Sequence, residues 1–190
     1  MWRIRDRTDL ARLAPLEARW QDIASEIPGF NLHTVACLHP GVWHMETDPK
    51  SVEFIAGLKS EWIRGWSGDQ WFNFPLMICD TVVDRAAELC PKTVETLRNI
   101  SGVNVAGFAR MGPHSKLEIH ADKVGPSFGS LAVNMQLTGE KSSLYLRQGR
   151  GCLRHLHCSG AAVVFNSELE HYADNLGDCD RVILYLDVSV

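Results

Sequence analysis

The spacing of apolar positions changes near residue 100. Before that point the period is mostly helical. Pro15 suits the first turn of a helix, where its missing N–H costs nothing, and Leu16, Trp20 and Ile23 follow on one face. Phe30 to Thr47 shows no clear period, and Pro40-Gly41 marks a turn within it. Asp48-Pro49 reads as an N-cap and first helical residue. Val52, Ile55, Leu58 and Trp62 then recur at helical spacing, which predicts a helix over residues 49–64. Ser67-Gly68-Asp69 is a turn. Trp71 to Ile78 reads as a strand, and its Pro75 points to an edge or a bulge. A short helix over Thr81 to Leu89, and another from Pro91 with Val94 and Leu97 inward, complete this half. Trp62 and Trp66 are expected to pack against the core.

From residue 103 short β-type runs succeed one another: Val103–Met111, Lys116–His120, Leu131–Leu137, Leu144–Arg147, Ala161–Phe165 and Arg181–Val188. Glycine-marked turns separate them, as at Gly112-Pro113, Gly139 and Gly149–Gly151. Regular short strands with such turns predict a sandwich or barrel, and helices first with strands later predict an α+β chain with a mainly β core. No repeat, low-complexity run or Pro/Gly/Ser-rich linker divides the sequence. Residues 1–190 are therefore read as one domain, with 1–100 mostly helical support and wall and 101–190 the β core.

Composition narrows the function classes. The apolar fraction of 45% suffices for a sizeable core, while a net charge of −4 lacks the basic face of a nucleic-acid binder. Arg3, Arg5 and Arg7 are not followed by an apolar run, so the start does not read as a secretory signal, and no stretch suits a membrane span. The six cysteines lack Cys-x-x-Cys spacing, so a finger-type zinc site and a disulfide framework are not expected. They read as mostly buried small hydrophobes in a reducing cytoplasm, which makes the expected location cytoplasmic.

Candidate chemistry lies between Arg110 and Arg181. His120 and Asp122 stand two apart at a strand end, where both side chains could reach one ion, and His171 follows on a later strand-turn unit. Two imidazoles and a carboxylate are the ligand set of a facial iron site with open positions for co-substrate and oxygen. A lone His-x-Asp recurs by chance; the later His171 and Arg181 give it weight. Arg181, ten residues beyond the second histidine, could hold an anionic co-substrate. His155 and His157 alternate and would share a face, which leaves open a second metal site with Cys152 or Cys158 nearby. Asn175 either fixes the turn after His171 or touches substrate. His114 sits in the Gly-Pro turn and is expected to be solvated.

Residues 90 to 188 resemble the aspartyl/asparaginyl β-hydroxylase family. The matching pieces are Cys90-Pro91-Lys92-Thr93, Met111-Gly112-Pro113 ahead of His120, Ser159-Gly160 before the strand into Phe165, Glu170-His171, Asn175, Arg181 and Leu186-Asp187-Val188. Trp71-Phe72-Asn73-Phe74 is similar to the family's aromatic strand. The resemblance implies a double-stranded β-helix, jelly-roll or cupin-like, with a helical N-terminal region packed against it. It further implies an iron(II)- and 2-oxoglutarate-dependent dioxygenase that hydroxylates an unactivated carbon and releases succinate and carbon dioxide. The implied metal ligands are His120, Asp122 and His171, with no catalytic residue beyond them. Arg181 would pair with the distal carboxylate of 2-oxoglutarate, and Asn134, Met111 and Arg110 are the other expected co-substrate contacts. Met111, Val133, Leu144, Phe165 and Leu184 would form apolar walls. The implied partners are molecular oxygen and an Asp/Asn-type substrate, free or tethered, with no nucleic acid and no membrane.

The chain departs from the family at one end of the site. Ala132 and Asn134 stand where the family has an arginine and a histidine, and Ala109 where it has a serine. Asn134 can still donate a hydrogen bond; the alanines cannot. Arg110, Arg147 and Ser130 are the nearest replacements in sequence. The alternative reading is a cupin-like metal or small-molecule binding module without turnover.

Overall fold

The computed structural model describes residues 4–5, 11–36, 62–65, 67–79, 81–122 and 131–189. Along the chain these form β1 (Ile4–Arg5), α1 (Ala14–Ala18), α2 (Trp20–Ser25), a 3-10 turn at Leu32–Thr34, β2 (Ile63–Arg64), β3 (Trp71–Ile78), β4 (Thr81–Val82), α3 (Asp84–Leu89) and α4 (Pro91–Arg98). Eight strands follow: β5 (Val103–Met111), β6 (Ser115–His120), β7 (Leu131–Thr138), β8 (Ser142–Gln148), β9 (Gly151–Leu156), β10 (Ala162–Asn166), β11 (Glu170–Asn175) and β12 (Arg181–Val188). β5 and β12 have the bounds their sequence predicts. β9 and β11 are strands that the apolar pattern does not reveal.

All strand pairings between these elements are antiparallel, and they build two facing sheets. The larger runs β1-β10-β7-β12-β5-β3-β2 with β4 on β3, and the smaller runs β6-β11-β8-β9. Strand alternation divides the larger sheet's side chains between two environments. Phe72, Phe74, Phe108, Val133, Met135, Leu184 and Leu186 face the helices and join Leu16, Ile23, Val94 and Leu97 in the main core. Ala132, Val163 and Phe165 face the smaller sheet, where they meet Leu144 and Leu146. The protein is thus a jelly-roll of mainly β structure with a helical layer outside one sheet.

Helix placement depends on charge as well as apolar burial. Glu26, just past α2, accepts from the backbone N–H groups of Lys92 and Thr93 at 2.9 and 2.7 Å. These are the unpaired donors of the first turn of α4, where a carboxylate also meets the positive end of the helix dipole. Glu17 of α1 accepts from the Ala162 N–H at 2.9 Å and ties the helices to β10. Trp62 is fully buried. It lies edge-on to Phe30 and Phe74 and donates from Nε1 to the Gly29 carbonyl at 3.3 Å, which is a packing role.

Three sequence expectations change. The helix over 49–64 lies outside the described residues up to 61; beyond it, Ile63–Arg64 pair with Phe72–Asn73 as a strand. Thr81–Val82 pair with Met77–Ile78, so the next helix begins only at Asp84. Of the five described cysteines only Cys90 is buried; Cys79, Cys152, Cys158 and Cys179 are exposed, because they sit in turns or on the outer side of an edge strand. Pro75 does mark a bulge: β3 slips against β5 between Pro75 and Met77. There a Cβ on Gly107 would come within 2.9 Å of the Phe74 carbonyl, so the crossing needs glycine.

Candidate metal centre

The smaller sheet brings the two candidate histidines together. His171 of β11 lies directly opposite His120 of β6, and their ring centroids are 4.1 Å apart. A β-bulge makes this possible. Ala173 pairs with Leu117, but two residues back along β11 His171 pairs with His120, three residues on along β6. The extra residue turns Ile119 to solvent, 45% exposed, and aims His120 inward. Asp122 is not on the strand, as its spacing predicts, but just beyond it. Its N–H donates to the Ser167 carbonyl at 2.9 Å, which holds its carboxylate 3.8 Å from His120 Nε2. One ligand atom from each of His120, Asp122 and His171 falls within 4.8 Å of the others, the only such group of three or more among the described residues.

Both imidazoles are set in a tautomer that offers Nε2 to a metal. His120 Nδ1 lies 2.7 Å from the Glu118 carbonyl, and His171 Nδ1 lies 2.8 Å from the Leu169 carbonyl. A carbonyl only accepts, so each Nδ1 carries the proton and each Nε2 presents a lone pair. Such a bond behind a metal-binding histidine also fixes its ring. Burial, and then the neighbouring His120, lower the pKa of His171, with Asp122 and the Leu169 carbonyl opposing; the ring is therefore neutral near pH 7. Phe165 meets His171 edge-on at 5.2 Å and supplies an apolar wall. Leu144 and Met111 are also on this interior side. Val133 and Leu184, expected here, face the helices instead, and Val163 and Leu146 take those places.

A second polar cluster lies deeper between the sheets, around Arg181. Arg181 is 2% exposed. Its Nη1 meets Met111 Sδ at 3.3 Å and its Nη2 meets His157 Nε2 at 3.2 Å, while Nε has no partner. Among the described residues no carboxylate lies within ion-pair distance of it. Burial pushes its pKa down to about 10, and the nearby Asp174 opposes this, so the guanidinium stays charged at neutral pH. Asn134 of β7, opposite Tyr185 of β12, is buried on the same side, with its side-chain oxygen unpartnered.

Arg110 does not join this cluster. Met111 faces inward, so its neighbour must face the helices. There Arg110 forms a two-point ion pair with Asp180, at 2.8 and 2.6 Å, and stacks over Phe30 at 3.7 Å. Arg147 points away on the outer side of β8 near Glu170, and Ser130 lies outside the described residues. Asn175 serves the backbone: its amide donates to the Met111, Gly112 and Cys179 carbonyls and accepts from Gly177, locking two turns together. His114 is exposed beside Asp178.

His155 and His157 do share a face, 5.2 Å apart and edge-on, but it is the interior face, and among the described residues no third ligand-type residue joins them. Sequence reasoning missed Tyr185 as a pocket residue, and it paired His157 with His155 rather than with Arg181. Recognising β9 as a strand would have placed His157 inside, because Leu153 and His155 point inward and the same alternation continues to His157.

A family model described as aspartyl/asparaginyl β-hydroxylase matches residues 17–190. The protein L888 of Acanthamoeba polyphaga mimivirus is 24% identical over 157 residues, and the match covers 80% of this chain. The chain spans about half the length, 54%, of that relative. Among solved structures, an oxidoreductase of the 2OG-Fe(II) oxygenase family from Burkholderia pseudomallei superposes with a TM-score of 0.51 at 12% identity. That match covers 81% of this chain and 92% of the other, and it shows the shared fold.

Proposed function

The chain belongs to the aspartyl/asparaginyl β-hydroxylase family, and from that premise we propose that it is an iron(II)- and 2-oxoglutarate-dependent dioxygenase acting on a small or tethered amino-acid-like substrate of the Asp/Asn type. One observation carries the reading: His120, Asp122 and His171 converge within 4.8 Å while both imidazoles keep Nδ1 on a carbonyl. Two nitrogens and a carboxylate on one side suit iron(II) and leave the opposite side open. The donor set around Arg181 fits the second group. A buried cation with an unpartnered Nε, and no carboxylate within ion-pair distance among the described residues, is suited to a carboxylate from outside.

In this reading His120, Asp122 and His171 hold the metal and Arg181 grips the distal carboxylate of the keto acid. Asn134 offers an amide between the two ends, and Phe165, Leu144, Leu146 and Met111 exclude water. Bound together, iron(II) and 2-oxoglutarate supply the oxidising chemistry that inserts oxygen into an unactivated C–H bond, with succinate and carbon dioxide released. The protein contributes ligands, orientation and a dry pocket.

The test is anaerobic. Iron(II) and 2-oxoglutarate added to the protein should give a weak visible charge-transfer band, and admitting oxygen should form succinate. His171→Ala should lose both. Failure of the wild-type protein to give either signal would leave a metal-binding module of cupin type, the reading that Ala109 and Ala132 favour.

A further inference from the structure

The unexplained feature of the pocket is how Arg181 is held. Ala109 and Ala132 lie on the inner side of the larger sheet, and neither side chain can contact a guanidinium or an anion through a hydrogen bond. Gln136 is on the same inner side but already engaged. Its Nε2 donates to the Gly139 carbonyl at 2.9 Å, and its Oε1 accepts from the Ser142 hydroxyl. Met111 Sδ is a weak acceptor. His157 remains. Its backbone N–H is anchored to the Ser142 carbonyl at 3.0 Å, and its ring is buried against Arg181 Nη2. A guanidinium only donates, so His157 Nε2 must accept and the neutral ring must carry its proton on Nδ1. That Nδ1 is buried without a partner.

From these contacts we infer that His157 is a positioning residue of the keto-acid seat: through Nε2 it fixes the plane of the Arg181 guanidinium, and so sets selectivity for a co-substrate with a distal carboxylate. This rests on the proposed function. Five N–H groups less the two that meet Met111 and His157 leave three for the anion, presented by a fork that cannot rotate while Nη2 is held. His157 comes from the smaller sheet and Arg181 from the larger, so the contact also bridges the two layers at the base of the pocket. With Nδ1–H as a further donor, this end of the site offers donors to an anion, and among the described residues no carboxylate lies within ion-pair distance of Arg181.

The experiment compares wild type, His157→Leu and His157→Gln, each loaded anaerobically with iron(II). Dissociation constants are read from the charge-transfer band for 2-oxoglutarate and for 2-oxopentanoate, which carries a methyl group where the distal carboxylate would be. Metal affinity and melting temperature are measured alongside. His157→Leu should weaken 2-oxoglutarate binding about tenfold or more, as loss of a hydrogen bond to a charged group does, and leave 2-oxopentanoate binding within about twofold. His157→Gln, whose amide oxygen can accept near the position of Nε2, should restore most of the discrimination. Equal discrimination in wild type and His157→Leu would overturn the inference. So would a parallel loss for both keto acids, which marks a merely structural role. A wild type with no band for either acid would instead overturn the co-substrate reading itself.

Discussion

His120 and His171 each commit Nδ1 to a carbonyl two residues back, so metal affinity depends on backbone geometry as well as on the rings. Arg181 shows the opposite economy: a buried cation whose Nε lacks a partner weakens the fold and serves binding. Arg181→Met, of similar length and apolar, should therefore raise the 2-oxoglutarate dissociation constant by at least about tenfold while the melting temperature holds or rises. A clear drop in melting temperature would make Arg181 a structural residue. Cys90 gives an independent check on the helical layer. Burial, and then Glu26, push its thiol up to about 12, so at pH 8 only about one part in ten thousand is thiolate. Brief alkylation of the native protein followed by peptide mass spectrometry should label Cys79, Cys152, Cys158 and Cys179 before Cys90. Early labelling of Cys90 would contradict its packing between α3 and α4.

At the scale of elements, the bulge in β6 decides whether a metal site exists. Apolar alternation would put Leu117 and Ile119 inside together; the structure sends Ile119 out and His120 in. Ile119→Ser should accordingly change unfolding free energy by no more than about 0.5 kcal/mol and leave metal affinity unchanged, as measured by urea unfolding and metal titration. A cost of several kcal/mol would place Ile119 in the core and remove the bulge. β9 and β11 escape sequence reading for related reasons. β11 is Glu-His-Tyr-Ala-Asp-Asn, rich in residues that strands ordinarily avoid, yet His171, Asp174 and Asn175 are buried because each meets groups from other elements. In β9 the apolar pattern is inverted: Leu156 faces solvent while His155 faces inward.

For the molecule as a whole, the larger sheet separates two interiors, one packed with helices and one lined by polar side chains. The polar interior makes the fold sensitive to acid. Burial, then Arg181 and His155, push His157 down to about 2; burial also lowers His155, and His171 is lowered as described. An unfolded histidine titrates near 6.5. Between about pH 6.5 and 2 the unfolded chain therefore binds a proton at His157 that the native state refuses, so stability falls as pH falls through that window, by up to about 1.4 kcal/mol per unit for this residue. Urea unfolding at pH 7 and pH 5 with a chelator present should show the loss, and His157→Gln should flatten it. An unchanged slope in that variant would mean that His157 is protonated in the native state.

The sequence by itself determined the switch from helical to strand periodicity, the strands whose apolar residues face a core, and the ligand types in their order, with Arg181 after the second histidine. Those features are local, because period and residue chemistry can be read without knowing what lies opposite. Only the tertiary structure decided which side chains meet. It turned His120 inward by a one-residue register shift, sent Arg110 to the helix side because Met111 took the interior, and brought His157 from one sheet against Arg181 of the other. Facing depends on register and on contacts between strands distant in sequence, and a one-residue slip reverses it.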